Sequence, residues 1–533
     1  MNKIAAYLNE HLQGEVSSSK SLRRAYSTDG SVLSIAPEIV AFPRVTNDVR
    51  KIARFTWQLA EKGHAVSMTV RGYGRDTTGA AIGKGIVIDT TKHLNSIIQV
   101  ANKDRLVHLQ PGVSLETLNS ALKWQGLSIS GAFLRDIKSL SVGGMIASDS
   151  LGLRNGIADN IKQLEVVLAN GDVIETGRIS KREVSKKLGL QTFEGEIYRK
   201  LSGLLEDNDQ LIKELAADKT RDNTGYKRVA SIRGKDGSFD LTPLFVGSQG
   251  TLGIITEVML KTESYSQNEI EAAVVTKSVK QARELAEKFI ELDPSELAIY
   301  DGALLRRAAK QGSQFSALGS VEQVGAALYI RFDDPRERAQ KKKYKKFRKI
   351  LSKMNLGVID SLARDPQEFA AITDIRQTLE LGTSEETVAI PLIDGAYVPP
   401  EKRDDFEDEL TDLAKKHHME LPLLLNVLNG TYDIFPLLKL DTVSDKQKLF
   451  KLMGDYAALV TRCEGALTTD GAEGRLKANA AWAILDDQET QLYEGVRQIF
   501  DPFNTLNPGV KQKNDLRSLV AALRASYDSS SVL

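Results

Sequence analysis

The stretch Val66-Ser67-Met68-Thr69-Val70-Arg71-Gly72-Tyr73-Gly74-Arg75-Asp76-Thr77-Thr78-Gly79, followed by Gly85-Ile86-Val87-Ile88-Asp89, decides how the chain is read. The apolar, β-branched segments at its two ends read as strands. The loop between them depends on glycine. Gly72, Gly74 and Gly79 permit positive φ and let backbone amides come close to a ligand. Successive amides of this kind make an anion-binding nest, and Arg71 and Arg75 add positive charge beside it. The loop alone leaves two readings: a pyrophosphate seat, or a glycine-rich hairpin that binds nothing. Two familiar phosphate loops are excluded. A dinucleotide fingerprint needs a third glycine where Thr77 stands, and it runs from strand to helix. A Walker loop ends in Gly-Lys-Ser/Thr, which is absent.

Working outward, Glu38 to Pro43 reads as a strand. Thr46 is expected to cap a helix with Val49, Ile52, Ala53 and Leu59 on one face, giving a βαβ unit that leads into the loop. Residues 1–36 read as a helix and an extended arm. Beyond the loop, Leu106-Val107-His108-Leu109 is a strand. Ser114 caps a helix carrying Leu115, Leu118 and Leu122, which stops near Gly126. A second small-residue stretch, Ser141-Val142-Gly143-Gly144-Met145-Ile146-Ala147-Ser148, opens a short helix whose free amides suit phosphate. Asn170-Gly171 between apolar runs marks a hairpin. A third stretch, Val246-Gly247-Ser248-Gln249-Gly250-Thr251-Leu252-Gly253, turns into the strand at Ile254, and close backbone packing against a planar ring is its expected use.

From about residue 265 the pattern becomes β-α-β-β-α-β: Glu271–Thr276, Ser278–Leu292, Leu297–Tyr300, Ala326–Phe332, Pro335–Met354 and Gly357–Ser361. That order is a ferredoxin-like split, and a similar order is expected to restart at Val388-Ala389-Ile390. Glycine-rich motifs return after Gly465 and end at Leu506-Asn507-Pro508-Gly509.

The bulk numbers set the limits. A chain of 533 residues has room for two or three cored domains. Its 71 basic and 71 acidic residues cancel, so no global field draws it to nucleic acid. One cysteine, Cys463, forms no internal disulfide and suits a reducing compartment. With no apolar leader and no spanning run of about 18 apolar residues, a cytoplasmic location is expected.

Six stretches taken together resemble the vanillyl-alcohol-oxidase/PCMH-type FAD-linked oxidases, nearest the glycolate oxidase subunit/D-lactate dehydrogenase branch. They are Arg71–Ala80, Ser141–Gly152, Leu164–Gly171, Asp222-Asn223-Thr224-Gly225-Tyr226, Gly247–Ile255 and Leu506–Gly509, in the family's order. The resemblance implies an α+β protein: a PCMH-type FAD-binding domain of two α+β subdomains, then a ferredoxin-like antiparallel cap. On this basis 1–36 is an arm, 37–264 the FAD-binding domain, 265–463 the cap, 464–512 a segment returning to the flavin, and 513–533 a tail. Arg71, Gly72, Tyr73, Gly74, Arg75, Asp76, Gly79 and Ala80 match the first pyrophosphate loop. Ser141, Gly144 and Ser148 match the second, and Gly156 lies where it closes on the cofactor. Ile254 matches a backbone contact to the flavin, and Asn507 an asparagine near the ring. Some relatives tether FAD through a histidine at the position of Arg75, and arginine cannot do so. Non-covalent FAD is therefore expected.

The branch's metal-binding histidines are missing. Its H-x-G-D-G-N-x-H motif falls on Leu428 to Phe435, with apolar residues at both histidine positions. Its G-E-H-G motif falls on Thr469-Asp470-Gly471-Ala472. A lone carboxylate does not hold a transition metal, so no metal is expected and the usual base is gone. Arg376 matches an arginine that grips a substrate carboxylate; the competing reading is an ordinary helix ion pair. Asp470, with Glu473, could supply a base; the competing reading is a polar loop. Tyr432 is placed where the cap faces the flavin; the competing reading is a half-buried structural tyrosine. His417-His418 and Cys463 read as solvated face and packing. The run Lys341 to Lys349 reads as the outer face of a cap helix in preference to a membrane contact.

The expected function is FAD-dependent oxidation of a small hydroxylated substrate, including a 2-hydroxy acid, with quinone, oxygen or a carrier protein as the unidentified electron acceptor. The alternatives are a metal-independent sugar or lactone oxidoreductase, or a flavin-binding protein with little turnover.

Overall fold

The computed structural model describes residues 3–129, 140–149, 156–218, 220–315, 318–354, 356–362, 367–375, 383–384, 387–389, 392–440 and 442–524. The first sheet is built around the opening stretch. Strands Ile39–Phe42, Ile86–Asp89 and Met68–Arg71 lie side by side and parallel, Met68 opposite Ile86. Parallel neighbours cannot be joined by a tight turn, so the glycine-rich loop is a crossover and the hairpin reading falls. Glu15–Ser17 pairs antiparallel with Ile39–Phe42, so part of the expected arm is the edge of this sheet. Helix Thr46–Glu61 covers one face with Val49, Ile52 and Ala53. Thr46 does not cap it. It is the first helical residue, and its hydroxyl donates to Glu165 Oε1 at 2.9 Å. The buried Asp48 carboxylate instead gathers the amides of Gln13, Gly14 and Arg44.

The second sheet is antiparallel, in the order Ile97–Ala101, Leu106–Leu109, Ile254–Lys261, Ile161–Val167, Val173–Glu175. The hairpin at Asn170-Gly171 forms, with Gly171 at φ 85°. Ser114 caps Leu115–Trp124 through Thr117 N, and Gly126 closes that turn at φ 70°. Ser141 caps Val142–Ser148 through Gly144 N.

Among the described residues, the main sheet of the cap is antiparallel and has seven strands. Four of them, Ile359–Asp360, Ile270–Thr276, Ala326–Phe332 and Glu296–Asp301, stand in the ferredoxin-like order, flanked by helices Val279–Ile290 and Glu337–Lys353. Strand Leu423–Asn426 pairs with Glu296–Asp301 and continues through Thr431–Ile434 to Ala396–Tyr397. The second repeat thus begins at Ala396. The strand Thr387–Ala389, expected to begin it, belongs to a separate three-stranded sheet. Alternation along the strands divides the cap core: Ala272, Val274, Leu297 and Ile299 face the long helices, while Ala273, Ala298, Tyr300 and Tyr329 face the other side. Among the described residues no helix is long and apolar enough to cross a membrane.

Candidate functional site

The three glycine-bearing stretches meet at one cleft of about 1630 Å³, mouth included. Gly72–Thr78 and Ala80 line one wall, Ser141, Gly144 and Ser148 a second, and Ser248–Gly250 a third. The cap and C-terminal segment close it with Asp394, Gly395, Asp433, Asp470, Gly471 and Lys477. The loops are held by contacts that only glycine allows. A Cβ on Gly72 would overlap the Ser141 hydroxyl, and one on Gly74, at φ 70°, would overlap the Arg71 guanidinium.

Arg71 is therefore a support beneath the loop. It is buried, donates to Thr28 O at 2.7 Å, and lies 5.1 Å from the Tyr26 ring. Burial lowers its pKa, opposed by the charge of Asp29. Asp76 shapes the loop from within: one carboxylate oxygen accepts from Thr78 N, Thr78 Oγ1 and Ala80 N, each at 2.8 Å. Ser148 donates to Gly144 O at 2.8 Å, which closes the short helix. Gly79, at φ 80°, packs on Leu33 behind the cleft. Gly156, at φ 71°, lies against the Arg221 guanidinium.

Two of the expected residues are not themselves in the cleft lining. The Ile254 side chain packs in the core of the first sheet, which bears on its side chain and not on the expected backbone contact, and its neighbours Gly253 and Ile255 line the cleft. Asn507 is buried behind the loops and clamps them. Its Nδ2 donates to Ala80 O and Gln249 O at 2.8 Å each, and its Oδ1 accepts from Thr69 Oγ1 at 3.0 Å and Arg475 Nη2 at 3.3 Å.

The cap residues also divide. Tyr432 is fully buried among the cap helices, packs on Phe406, and donates to Glu407 Oε1 at 3.0 Å. Burial, then the charge of Glu407, raises its pKa. Strand alternation turns the next residue, Asp433, to the cleft instead. Asp433 Oδ1 accepts from Gly395 N at 2.6 Å. Asp470 lines the cleft, and its amide donates to Gly395 O at 3.1 Å. Glu473 is not available as a base: it is sealed in the core with Lys511 Nζ at 2.7 Å, Gly225 N at 2.9 Å and Trp482 Nε1 at 3.0 Å. Arg376 lies outside the described residues. Leu428 packs on the cap core, and Phe435 is fully buried in it.

The sequence reading missed several residues. Gln249, at φ 50°, donates to Thr78 Oγ1 at 3.2 Å, accepts from Gly474 N at 2.9 Å, and its amide reaches Ala147 O at 2.8 Å. It joins the three loops to the C-terminal segment. Arg475 is buried, donates to Gly79 O and to Pro508 O at 2.9 Å, and burial brings its pKa down to about 10. Asp394 accepts from Thr77 Oγ1 at 2.8 Å and Lys477 Nζ at 3.0 Å. Only Gln249 had a local signal, its place inside a glycine-rich turn.

Residues 37–177 match the family model described as an FAD binding domain, and residues 266–510 match the C-terminal domain of FAD linked oxidases. The chain belongs to the FAD-linked oxidase family. The chain is 25% identical over 538 residues to a D-2-hydroxyglutarate dehydrogenase of Pantoea ananatis, covering 97% of the chain and 52% of the relative. The chain thus spans about half the length of such relatives. It is 23% identical over 513 residues to the glycolate oxidase subunit GlcD of Bacillus subtilis, covering 94% and 95% of the two chains. A solved structure of p-cresol methylhydroxylase with substrate bound shares the fold, with a TM-score of 0.70 at 12% identity over 97% of this chain and 98% of that one. FAD is the cofactor of this chain. The cleft fits it: positive-φ glycines at 74 and 250 shape two of the walls, and the close approach of Gly72 to Ser141 brings two loops to one seat.

Proposed function

We propose that the chain is a metal-independent FAD-dependent dehydrogenase or oxidase that takes a hydride from a carbon bearing a hydroxyl group. The observation that carries this reading is the single cleft in which all three cofactor loops meet Asp470. Gly72–Asp76, Ala80, Ser141, Gly144, Ser148 and Gly250 hold the cofactor, supported from behind by Arg71, Gly79, Gly156, Ile254 and Asn507. Arginine at position 75 cannot form the histidyl tether, so the flavin is held non-covalently. Bound FAD supplies the two-electron oxidant for a substrate C–H bond.

The chain's own part is to orient the substrate and manage its proton. Asp470 takes the hydroxyl proton as the carbonyl forms. Arg376 is retained as a second substrate-binding residue. A quinone, oxygen or a carrier protein reoxidises the enzyme, and the single thiol suits a cytoplasmic setting. The test is anaerobic mixing of the FAD-loaded protein with a panel of hydroxylated compounds. At least one should bleach the flavin band, and Asp470→Asn should slow that bleaching by about 10²–10⁴-fold. A panel in which nothing bleaches the flavin would favour a binding protein with little turnover. That second reading draws on the apolar packing of Leu428 and Phe435, where the branch places histidines.

A further inference from the structure

Resting on the seating of FAD proposed above, we infer that Tyr73 is the adenosine clasp of the cofactor site: its ring stacks on the adenine and makes the cleft selective for FAD over FMN. Among the described lining residues Tyr73 is the one aromatic side chain. It stands between Gly72 and Gly74 and is 37% exposed. Among the described residues its ring meets no other aromatic ring and its hydroxyl makes no hydrogen bond. Tyr26 gives the contrast. The Arg71 guanidinium lies over its ring at 5.1 Å, and its hydroxyl donates to Asp89 Oδ2 at 2.8 Å. Tyr26 is tied into the fold by these contacts, and Tyr73 has no such tie.

The two halves of the loop mark the two ends of the seat. Thr77 Oγ1 donates to Asp394 Oδ2 at 2.8 Å, so the second half meets the cap, where Asp470 also lines the cleft. The first half meets the FAD-binding domain. Thr90 N donates to Arg71 O at 3.0 Å, and a Cβ on Gly72 would overlap the Ser141 hydroxyl. Burial, then the charge of Asp89, raises the pKa of the Tyr73 hydroxyl, which puts the ring on the Asp89-Thr90 side. FAD is a linear arrangement of flavin, pyrophosphate and adenosine. With the flavin ring under the cap beside Asp470 and the pyrophosphate on the loop amides, the adenosine comes to the Tyr73 end. A purine offers a flat π-face, and an aromatic side chain is a stacking platform for it. Tyrosine serves at low entropy cost, because only two side-chain angles are fixed.

The full chain, freed of flavin, is titrated with FAD and with FMN, which lacks the adenylate, and ADP is tested for displacement of FAD. Wild type, Tyr73→Ala and Tyr73→Phe are compared, with affinity read from flavin absorbance and fluorescence. Tyr73→Ala should weaken FAD by about 5- to 150-fold and ADP by a similar factor, with FMN affinity unchanged, so that the preference for FAD over FMN shrinks. Tyr73→Phe keeps the ring and should match wild type for all three. Wild-type FAD affinity in Tyr73→Ala would overturn the inference. So would an equal loss of FMN and FAD affinity, which marks a loop support, or a loss in Tyr73→Phe as large as in Tyr73→Ala, which assigns the effect to the hydroxyl. Failure of the wild-type chain to take up FAD would overturn the seat as a whole, whereas unchanged FAD affinity in Tyr73→Ala overturns the clasp alone.

Discussion

Asn507 offers the sharpest test of how the cofactor seat is held. It makes four buried hydrogen bonds, donating to Ala80 O and Gln249 O and accepting from Thr69 Oγ1 and Arg475 Nη2. It also sits at φ 46°, in the left-handed region that asparagine tolerates and alanine does not. At roughly 1 kcal/mol per bond, removing the side chain costs about 4 kcal/mol. Alanine adds about 1 kcal/mol of backbone strain, and glycine adds none. Asn507→Ala should therefore be less stable than Asn507→Gly by about 1 kcal/mol, and both far less stable than wild type. Two of the lost bonds fix residues that line the cleft, Ala80 and Gln249, so FAD affinity should fall at least about tenfold. Chemical denaturation followed by tryptophan emission, together with titration of apoprotein with FAD, measures both effects. Wild-type FAD affinity and denaturation midpoint in Asn507→Ala, or greater stability of Asn507→Ala than of Asn507→Gly, would refute the clamp role of Asn507.

Three further outcomes are expected. Arg475→Met leaves Gly79 O and Pro508 O without their donor and should cost about 3 kcal/mol, with weakened FAD retention on a desalting column. Lys511→Met strands the buried Glu473 carboxylate and should cost about 3–5 kcal/mol. Adding Glu473→Gln should recover part of that loss in the same denaturation assay. Asp29 is fully buried, and its pKa is raised to about 6, first by burial and then by the charge of Asp76. Protonation is favoured in the folded state, so the Asp29 contribution is full below about pH 4. It declines as pH rises and is lost above the folded value of about 6. The stability of Asp29→Asn relative to wild type should therefore rise by about 2–3 kcal/mol between those limits; a constant difference would contradict this.

What was legible in the sequence follows the range of the forces involved. The first loop could be read because Gly72, Gly74 and Gly79 report a local backbone need, and the ferredoxin-like order because strand and helix periods are local too. The pairing of Met68–Arg71 with Ile86–Asp89 was not legible as parallel, since register depends on neighbours and loop path. Thr46 had cap chemistry, but a distant carboxylate, Glu165, claimed its hydroxyl. Tyr432 was assigned to the right strand and the wrong face: one residue of alternation puts Asp433 in the cleft. Arg475 and Gln249 hold carbonyls and amides far along the chain, and no spacing rule announces such bonds.

A flavin seated non-covalently between three loops is the central proposal. The most direct measurement is the visible spectrum of the purified protein, repeated on the filtrate after denaturation. A yellow protein that releases about one equivalent of FAD into the filtrate is the expected result. A protein that stays colourless and cannot be loaded with FAD, or one whose flavin remains with the denatured chain, would contradict it.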